Sequence, residues 1–271
     1  MFKFNFNVDE KHDNERSLEI SDDVKAGDPG KCRKHAIVPD IQISSEMLTF
    51  QASTHGPEIK FVKSSDVIDQ MIDKPAFLNA NSDLVKNVYE GGMKIWECSH
   101  DLVRHLSKSQ ELLQGKNVLE IGCGAALPGL FCMLSKANSV VLQDYNAEVI
   151  EHITMPNCSL NSHSNAVELY SGDWADFLAK MANRKFDLIL TSETIYDEAN
   201  YPKLLAIFDQ LLDPQGEILL AAKTHYFGVG GGIQNFQEAM DKTCKWNHVS
   251  VYENCDTVKR EILHIKRKMQ H

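Results

Sequence analysis

Residues 117–129 read NVLEIGCGAALPG, and this stretch confines the chain to a narrow set of folds. A short apolar run, Val118, Leu119 and Ile121, carries a single acid, Glu120, and breaks into Gly122, Cys123 and Gly124. Apolar sequence resumes after Pro128 and Gly129, over Leu130 to Leu134. Strand, glycine turn and helix in that order form the unit with which an α/β sheet holds a nucleotide-like ligand beyond the carboxyl ends of its strands. Glycine is required because the chain must turn sharply and let the ligand lie against bare backbone.

The chain downstream supplies such a sheet. Strands are predicted at Val118–Ile121, Val140–Asp144, Val167–Ser171, Phe186–Ser192 and Ile218–Lys223, with helices between them. Phe186 to Leu190 is an apolar run of the kind found in parallel strands covered on both faces. A glycine-rich loop, Gly228 to Gly232, then leads into a helix from Ile233 to Lys242. Val249–Tyr252 and Arg260–Ile265 alternate in strand fashion with a short connection, which predicts an antiparallel hairpin at the sheet edge.

Upstream, residues 1–34 are expected to be largely disordered, 35–87 to form an extension packed on the core, and 88–271 to form the main domain. The polar start with its Asp28-Pro29-Gly30 break supports no packed structure. Phe2, Phe4 and Phe6 alternate as an edge strand or docking tag would, and Lys31 to Lys34 is a basic cluster, either an import signal or plain solvated charge. Ile37, Val38, Ile41 and Ile43 suggest an extended piece, Ile59 to Val62 a strand, and Val67 to Ile72 a short helix. Val88 to Cys98 reads as a glycine-hinged loop opening an amphipathic helix, in which Trp96 is either core or a lid over the ligand.

Composition excludes several classes. With 43% hydrophobic and 24% charged residues the chain suits one sizeable globular core, and no apolar run approaches a membrane span. No secretory signal is expected, and the seven cysteines lack metal spacing, so reduced thiols in an intracellular compartment and no metal site are predicted. A net charge of -10 disfavours direct nucleic-acid binding and would attract a basic protein, although solubility alone also accounts for it.

The glycine turn itself narrows the ligand. A dinucleotide fold wants G-x-G-x-x-G, and here Leu127 stands at the third glycine. A ligand without phosphates but with a cationic amino-acid portion suits the turn, with Glu120 placed to neutralise its ammonium; S-adenosylmethionine is such a ligand. Asp144, about 20 residues on, stands where an acid grips ribose hydroxyls. Asp173 and Trp174 offer adenine a hydrogen-bond acceptor and a flat wall. Glu193 and Tyr196, three apart after the fourth strand, would face one pocket if they began a helix.

These elements, with VYEGGMKIWEC, QDYN, LTSETIY, KTHYFGVGGG and the opening FKFNFN, resemble the protein-histidine methyltransferase branch of the family-16 seven-β-strand methyltransferases. The resemblance is dense from Val88 to the C-terminus. It implies an α/β, Rossmann-like, seven-stranded class I methyltransferase sheet with an antiparallel edge hairpin. It further implies S-adenosylmethionine as cofactor, S-adenosylhomocysteine as product, and methyl transfer to the tele nitrogen of a histidine in a large-subunit ribosomal protein, the one called L-three. The candidate cofactor site then comprises Ile95, Trp96, Glu97, Cys98, Ser99, Glu120, Gly122, Cys123, Gly124, Asp144, Tyr145, Asn146, Gly172, Asp173, Trp174 and Ser192. The candidate acceptor residues are Glu193, Tyr196 and His225. The expected partner is a basic protein, a free or nascent ribosomal protein, in cytoplasm and nucleus. A lysine methyltransferase of the same family and a non-catalytic cofactor-binding module are the rival readings.

Overall fold

The computed structural model describes residues 31–38, 41–71, 75, 84–85, 88–161, 167–254 and 258–269. Of the segment 1–34 expected to be largely disordered, residues 1–30, with the Phe2-Phe4-Phe6 alternation, lie outside the described residues.

Five strands form the parallel heart of the sheet: β4 (Asn117–Ile121), β5 (Ser139–Asp144), β6 (Val167–Ser171), β7 (Phe186–Ser192) and β8 (Leu212–Lys223). β9 (Trp246–Asn254) and β10 (Arg260–Arg267) form the hairpin, with β10 antiparallel to both β8 and β9. A short β1 (Arg33–His35) pairs antiparallel with β6. The order across the sheet is β1-β6-β5-β4-β7-β8-β10-β9. Successive parallel strands step outward from β4 in opposite directions, to β5 and β6 on one side and β7 and β8 on the other. That reversal opens a crevice above the carboxyl end of β4.

Strand parity explains what each β4 side chain can do. Val118 joins the apolar cluster on one face, beneath α2 (Glu97–Leu106), α3 (Leu127–Leu134) and α5 (Met155–Asn161). Leu119 and Ile121 join the opposite cluster, beneath α6 (Trp174–Met181), α7 (Tyr201–Leu211) and α8 (Ile233–Thr243). Burying each such side chain contributes roughly 1.5–3 kcal/mol, so a two-faced sheet is strongly held in register. Glu120 shares parity with Val118 and therefore points beneath α3.

The N-terminal region departs from expectation in two places. The basic cluster contributes Arg33 and Lys34 to a strand, which makes the sheet eight-stranded. His35 Nε2 lies 2.7 Å from Ser171 Oγ, and Arg33 pairs with Glu151. The piece at Ile37, Val38, Ile41 and Ile43 joins no sheet among the described residues; the unexpected strand is β2 (Met47–Gln51), antiparallel to β3 (Glu58–Val62), after which comes α1 (Ser64–Gln70). The β2–β3 ribbon docks on α5, where the Val62 and Lys60 N–H groups donate to Asn157 and Asn161 Oδ1 at 2.8 and 2.9 Å. Ile59 and Phe61 complete the attachment by entering the main core.

Candidate active site

A cleft of about 880 Å3, open at its mouth, lies over the carboxyl ends of β4, β5 and β7. Of the expected residues it is lined by Ile95, Trp96, Ser99, Gly122, Cys123, Gly124, Asp144, Tyr145, Asp173, Trp174, Ser192, Glu193 and Tyr196. Glu90, Gly91, Gly92, Lys94, Ala125, Thr194, Asn200 and Lys203 line it as well; the sequence marks Gly91 and Gly92 only as a hinge and gives the others no role.

The glycine turn is built by close approach. Gly122 has φ +64°, and a Cβ there would come within 2.5 Å of Thr194 Cγ2. Gly124 has φ +49°, and a Cβ would stand 3.1 Å from the Gly92 carbonyl oxygen. The Gly92 backbone thus packs directly on the turn, and its own Cβ position is closed in by Asp144 and Val149 at 3.0 Å. The Gly124 N–H donates to Asp144 Oδ2 at 2.9 Å, and the Asn146 N–H donates to Oδ1 at 3.2 Å. Burial pushes the Asp144 carboxyl up to about 6, against the opposing pull of those N–H donors. A buried carboxylate held at the tip of β5 suits a ligand that brings hydroxyl donors.

One buried amide ties the next strand into the site. Gln143 Nε2 donates to the carbonyls of Asp144 and Gly172 at 2.8 and 2.7 Å, and its Oε1 accepts from Trp174 Nε1 at 3.0 Å. The Trp174 ring is thereby fixed as a wall. Asp173 caps α6 through the Ala175 N–H at 2.8 Å and pairs with Lys203 Nζ at 2.6 Å. On the opposite wall Trp96 Nε1 donates to the Gly91 carbonyl at 3.1 Å, with Lys94 Nζ 4.3 Å from the centre of the indole.

The segment after β7 differs from the expected helical turn. Glu193 to Asp197 is an irregular loop, with Glu193 in the left-handed region at φ +59°. Glu193 and Tyr196 consequently reach separate partners. Glu193 Oε2 accepts from the Tyr226 hydroxyl at 2.5 Å, and its Oε1 has no hydrogen-bond partner among the described residues. The Tyr196 hydroxyl donates to Glu90, and its ring meets that of Tyr226 edge-on at 6.3 Å. Burial and the neighbouring carboxylates push both phenols well above their usual range, so both remain donors. The glycine-rich loop reaches this segment through the Gly231 N–H, which donates to the Tyr196 carbonyl at 3.0 Å.

Six expected residues lie outside the cleft lining, for physical reasons. Glu120 is fully buried beneath α3, where Oε2 accepts the Gly129 N–H at 2.7 Å; burial pushes it up to about 8. It anchors the helix, and parity keeps it from a ligand ammonium. Gly172, at φ +118°, makes room for the chain at Cys32, whose Cα would lie 2.6 Å from a Cβ there. Asn146 turns toward Val88, donating from Nδ2 to its carbonyl at 2.8 Å. Cys98, in the first turn of α2, is buried in the core cluster. Glu97 opens α2; burial works against its ionisation, but the helix-end N–H, Lys223 and Arg260 hold it below the usual carboxylate range. His225 is exposed and packs on Phe227 at 4.8 Å, while the adjacent Tyr226 is the residue buried against Glu193. Tyr226 and Glu90 sit inside motifs that the sequence reading quoted without giving these two a role. Asn200 and Lys203 carry no local signal and arrive through the placement of α7.

The order of the strands, the reversed β10 and the crevice at the glycine turn define a class I methyltransferase fold. The chain belongs to methyltransferase family 16, described as lysine methyltransferase, whose model matches residues 76–240. It is 46% identical over 160 residues to the histidine protein methyltransferase 1 homolog of Dictyostelium discoideum, covering 59% of this chain and 52% of that protein. It is 40% identical over 193 residues to the Bos taurus homolog of the same name, covering 60% and 52%. The chain therefore spans about half the length of these relatives. Among solved structures, the magnesium protoporphyrin IX methyltransferase of Synechocystis with bound SAH superposes with a TM-score of 0.50 at 12% identity, covering 63% of this chain and 82% of that one.

Proposed function

We propose that this protein is an S-adenosylmethionine-dependent protein-histidine methyltransferase acting on a basic protein, the large-subunit ribosomal protein L-three. The observation that carries the reading is Glu193: a buried carboxylate in the cleft, with Oε2 held by the Tyr226 hydroxyl and Oε1, which makes no hydrogen bond among the described residues, facing the Lys223 ammonium at 3.6 Å. The similarity to histidine protein methyltransferases supports the same reading.

The residues present fit the cofactor. Carboxylates at Glu90, Asp144, Asp173 and Glu193 outnumber the lysines Lys94 and Lys203 around the cleft, which suits a cationic zwitterion over a pyrophosphate. Asp144 would accept ribose hydroxyls, and Trp96 and Trp174 would bound the aromatic base. The bound cofactor supplies an electrophilic methyl on a sulfonium. The cleft would bring an acceptor imidazole nitrogen beside that methyl, between Trp96, Tyr196 and Glu193. Glu193 accepts the hydrogen bond of the second ring nitrogen, fixes the tautomer and takes up its proton. Imidazole titrates near ~6.5 and is largely neutral at pH 7, whereas a lysine amine near ~10.4 must first lose a proton, costing about 4–5 kcal/mol. A site holding one carboxylate acceptor is sufficient for the former.

The net charge of -10 favours a strongly basic substrate, met free or nascent in cytoplasm or nucleus. The test incubates the protein with methyl-labelled cofactor and purified L-three, then locates the label by mass spectrometry. A methylated histidine is expected; label on lysine, or none, refutes the proposal. Calorimetry separates binding from transfer: Asp144→Ala should weaken cofactor binding about tenfold to a hundredfold, the loss expected when a charge-assisted pair is removed.

A further inference from the structure

Behind Glu193, at the last position of β8, lies Lys223, 7% exposed. Its Nζ is 3.6 Å from Glu193 Oε1 and 3.5 Å from Glu97 Oε2. It also stands 5.0 Å from the centre of the Trp96 ring and 5.9 Å from that of Tyr226. Two aromatic rings and two carboxylates around one ammonium are the constellation by which proteins hold alkylammonium groups. Trp96 and Glu193 also line the cleft, so this cage adjoins the place where an acceptor side chain must enter.

We propose that Lys223 is the residue that makes this site select a histidine over a lysine, by filling with its own ammonium the cation cage that a substrate lysine would otherwise use. The inference rests on the histidine-methyltransferase reading and deepens it. A lysine entering beside Glu193 meets a cage already occupied and a like charge at close range, while a neutral imidazole meets neither obstacle. The same charge acts on the acceptor's protonation. Glu97 and Glu193 together would draw a bound histidine toward imidazolium, which has no lone pair to give; Lys223 offsets them. The other charged or titratable groups packed around this position are Lys94 at the Trp96 ring, Cys98 and Asp101 on α2, Tyr226, and Arg260 on β10. Arg260 is committed to Asp101 at 2.6 Å.

The experiment compares wild type, Lys223→Met and Lys223→Arg on a histidine-containing L-three peptide and the same peptide with lysine at that position. Methionine fills the volume without the charge. Lys223→Met should shift the lysine-to-histidine ratio of kcat/KM at least tenfold toward lysine and tighten lysine-peptide binding by a similar factor in calorimetry. It should also move the acidic limb of the histidine pH profile up by about one unit, the size expected for losing a nearby charge. Lys223→Arg should restore the wild-type ratio. If Lys223→Met does not fold, Glu97→Gln replaces it, and the acidic limb should move down. An unchanged ratio, peptide affinity and pH limb overturn the role of Lys223. Wild type that methylates no histidine sinks the enzymatic reading instead, while the affinity comparison still decides whether Lys223 excludes an ammonium.

Discussion

Glu120 makes a pH-dependent liability at the centre of the fold. Its carboxyl is fully buried, Oε2 accepts the Gly129 N–H, and Oε1 has no hydrogen-bond partner among the described residues. Burial raises it from 4.5 to about 8 in the folded chain. A folded value above the unfolded one means that the native state holds the proton where the unfolded chain has released it. Stability is therefore full below the unfolded value of 4.5 and falls as pH rises toward about 8, where the loss levels off. At about 1.4 kcal/mol per unit, linkage puts the loss from this one group at roughly 1.4 kcal/mol at pH 5.5 and about 4–5 kcal/mol at pH 8.5. Glu120→Gln keeps the shape and an acceptor for the Gly129 N–H but cannot ionise. Urea unfolding of wild type and Glu120→Gln at both pH values should show the difference between them moving by about 3 kcal/mol in favour of the variant at the higher pH. A difference that stays constant across that interval would refute the argument, because it would mean that Glu120 ionises in the native state as it does in the unfolded chain.

Two further outcomes follow from packing. Gly122→Ala places a methyl at φ +64° within 2.5 Å of Thr194 Cγ2, and should cost about 1–3 kcal/mol with a visible drop in Tm. Arg260→Met leaves Asp101, 1% exposed, without its 2.6 Å partner and with only the more exposed Arg104 and the Tyr252 hydroxyl, each at 3.2 Å; chemical denaturation should register a loss of about 2–4 kcal/mol, and a loss under 1 kcal/mol would count against a buried pair at that position.

Much of the sheet was readable because its strands are buried on both faces. Phe186 to Leu190 announces itself as an apolar run and Val140–Asp144 and Val167–Ser171 as short, mainly apolar segments, and the observed strands coincide with the expected ones or extend them by a residue. Helix α8 runs one residue past its expected end. Where hydrophobic period is weak, the reading failed. β1 consists of Arg33, Lys34 and His35, held by pairing with β6 and by the contacts of His35 and Arg33, and no property of those three residues separates an edge strand from a solvated basic cluster. β2 is largely exposed, so it carries no inward-facing pattern to detect.

The site divides along a different line. Asp144 and Trp174 line the cleft because each follows directly from the end of a strand, and strand ends are what an alternating pattern locates. Glu120 misled for the complementary reason: its place beside the glycines looked like a ligand position, yet strand parity turns its side chain beneath α3. The chemistry around Glu193 could not be placed by spacing at all. A left-handed residue at Glu193 replaces the expected helical turn, yet Glu193 and Tyr196 still line one cleft; Tyr226 and Lys223, from the end of β8 and the loop after it, complete the surroundings of Glu193. Those two residues are 30 or more positions away in sequence, so only the β7–β8 pairing, which sets Ser192 beside Ala221, brings them to it. On the reading proposed above, acceptor choice depends on two neighbouring strand ends taken together. Substitutions at Lys223, the end of β8, should alter it as strongly as substitutions at Glu193 itself.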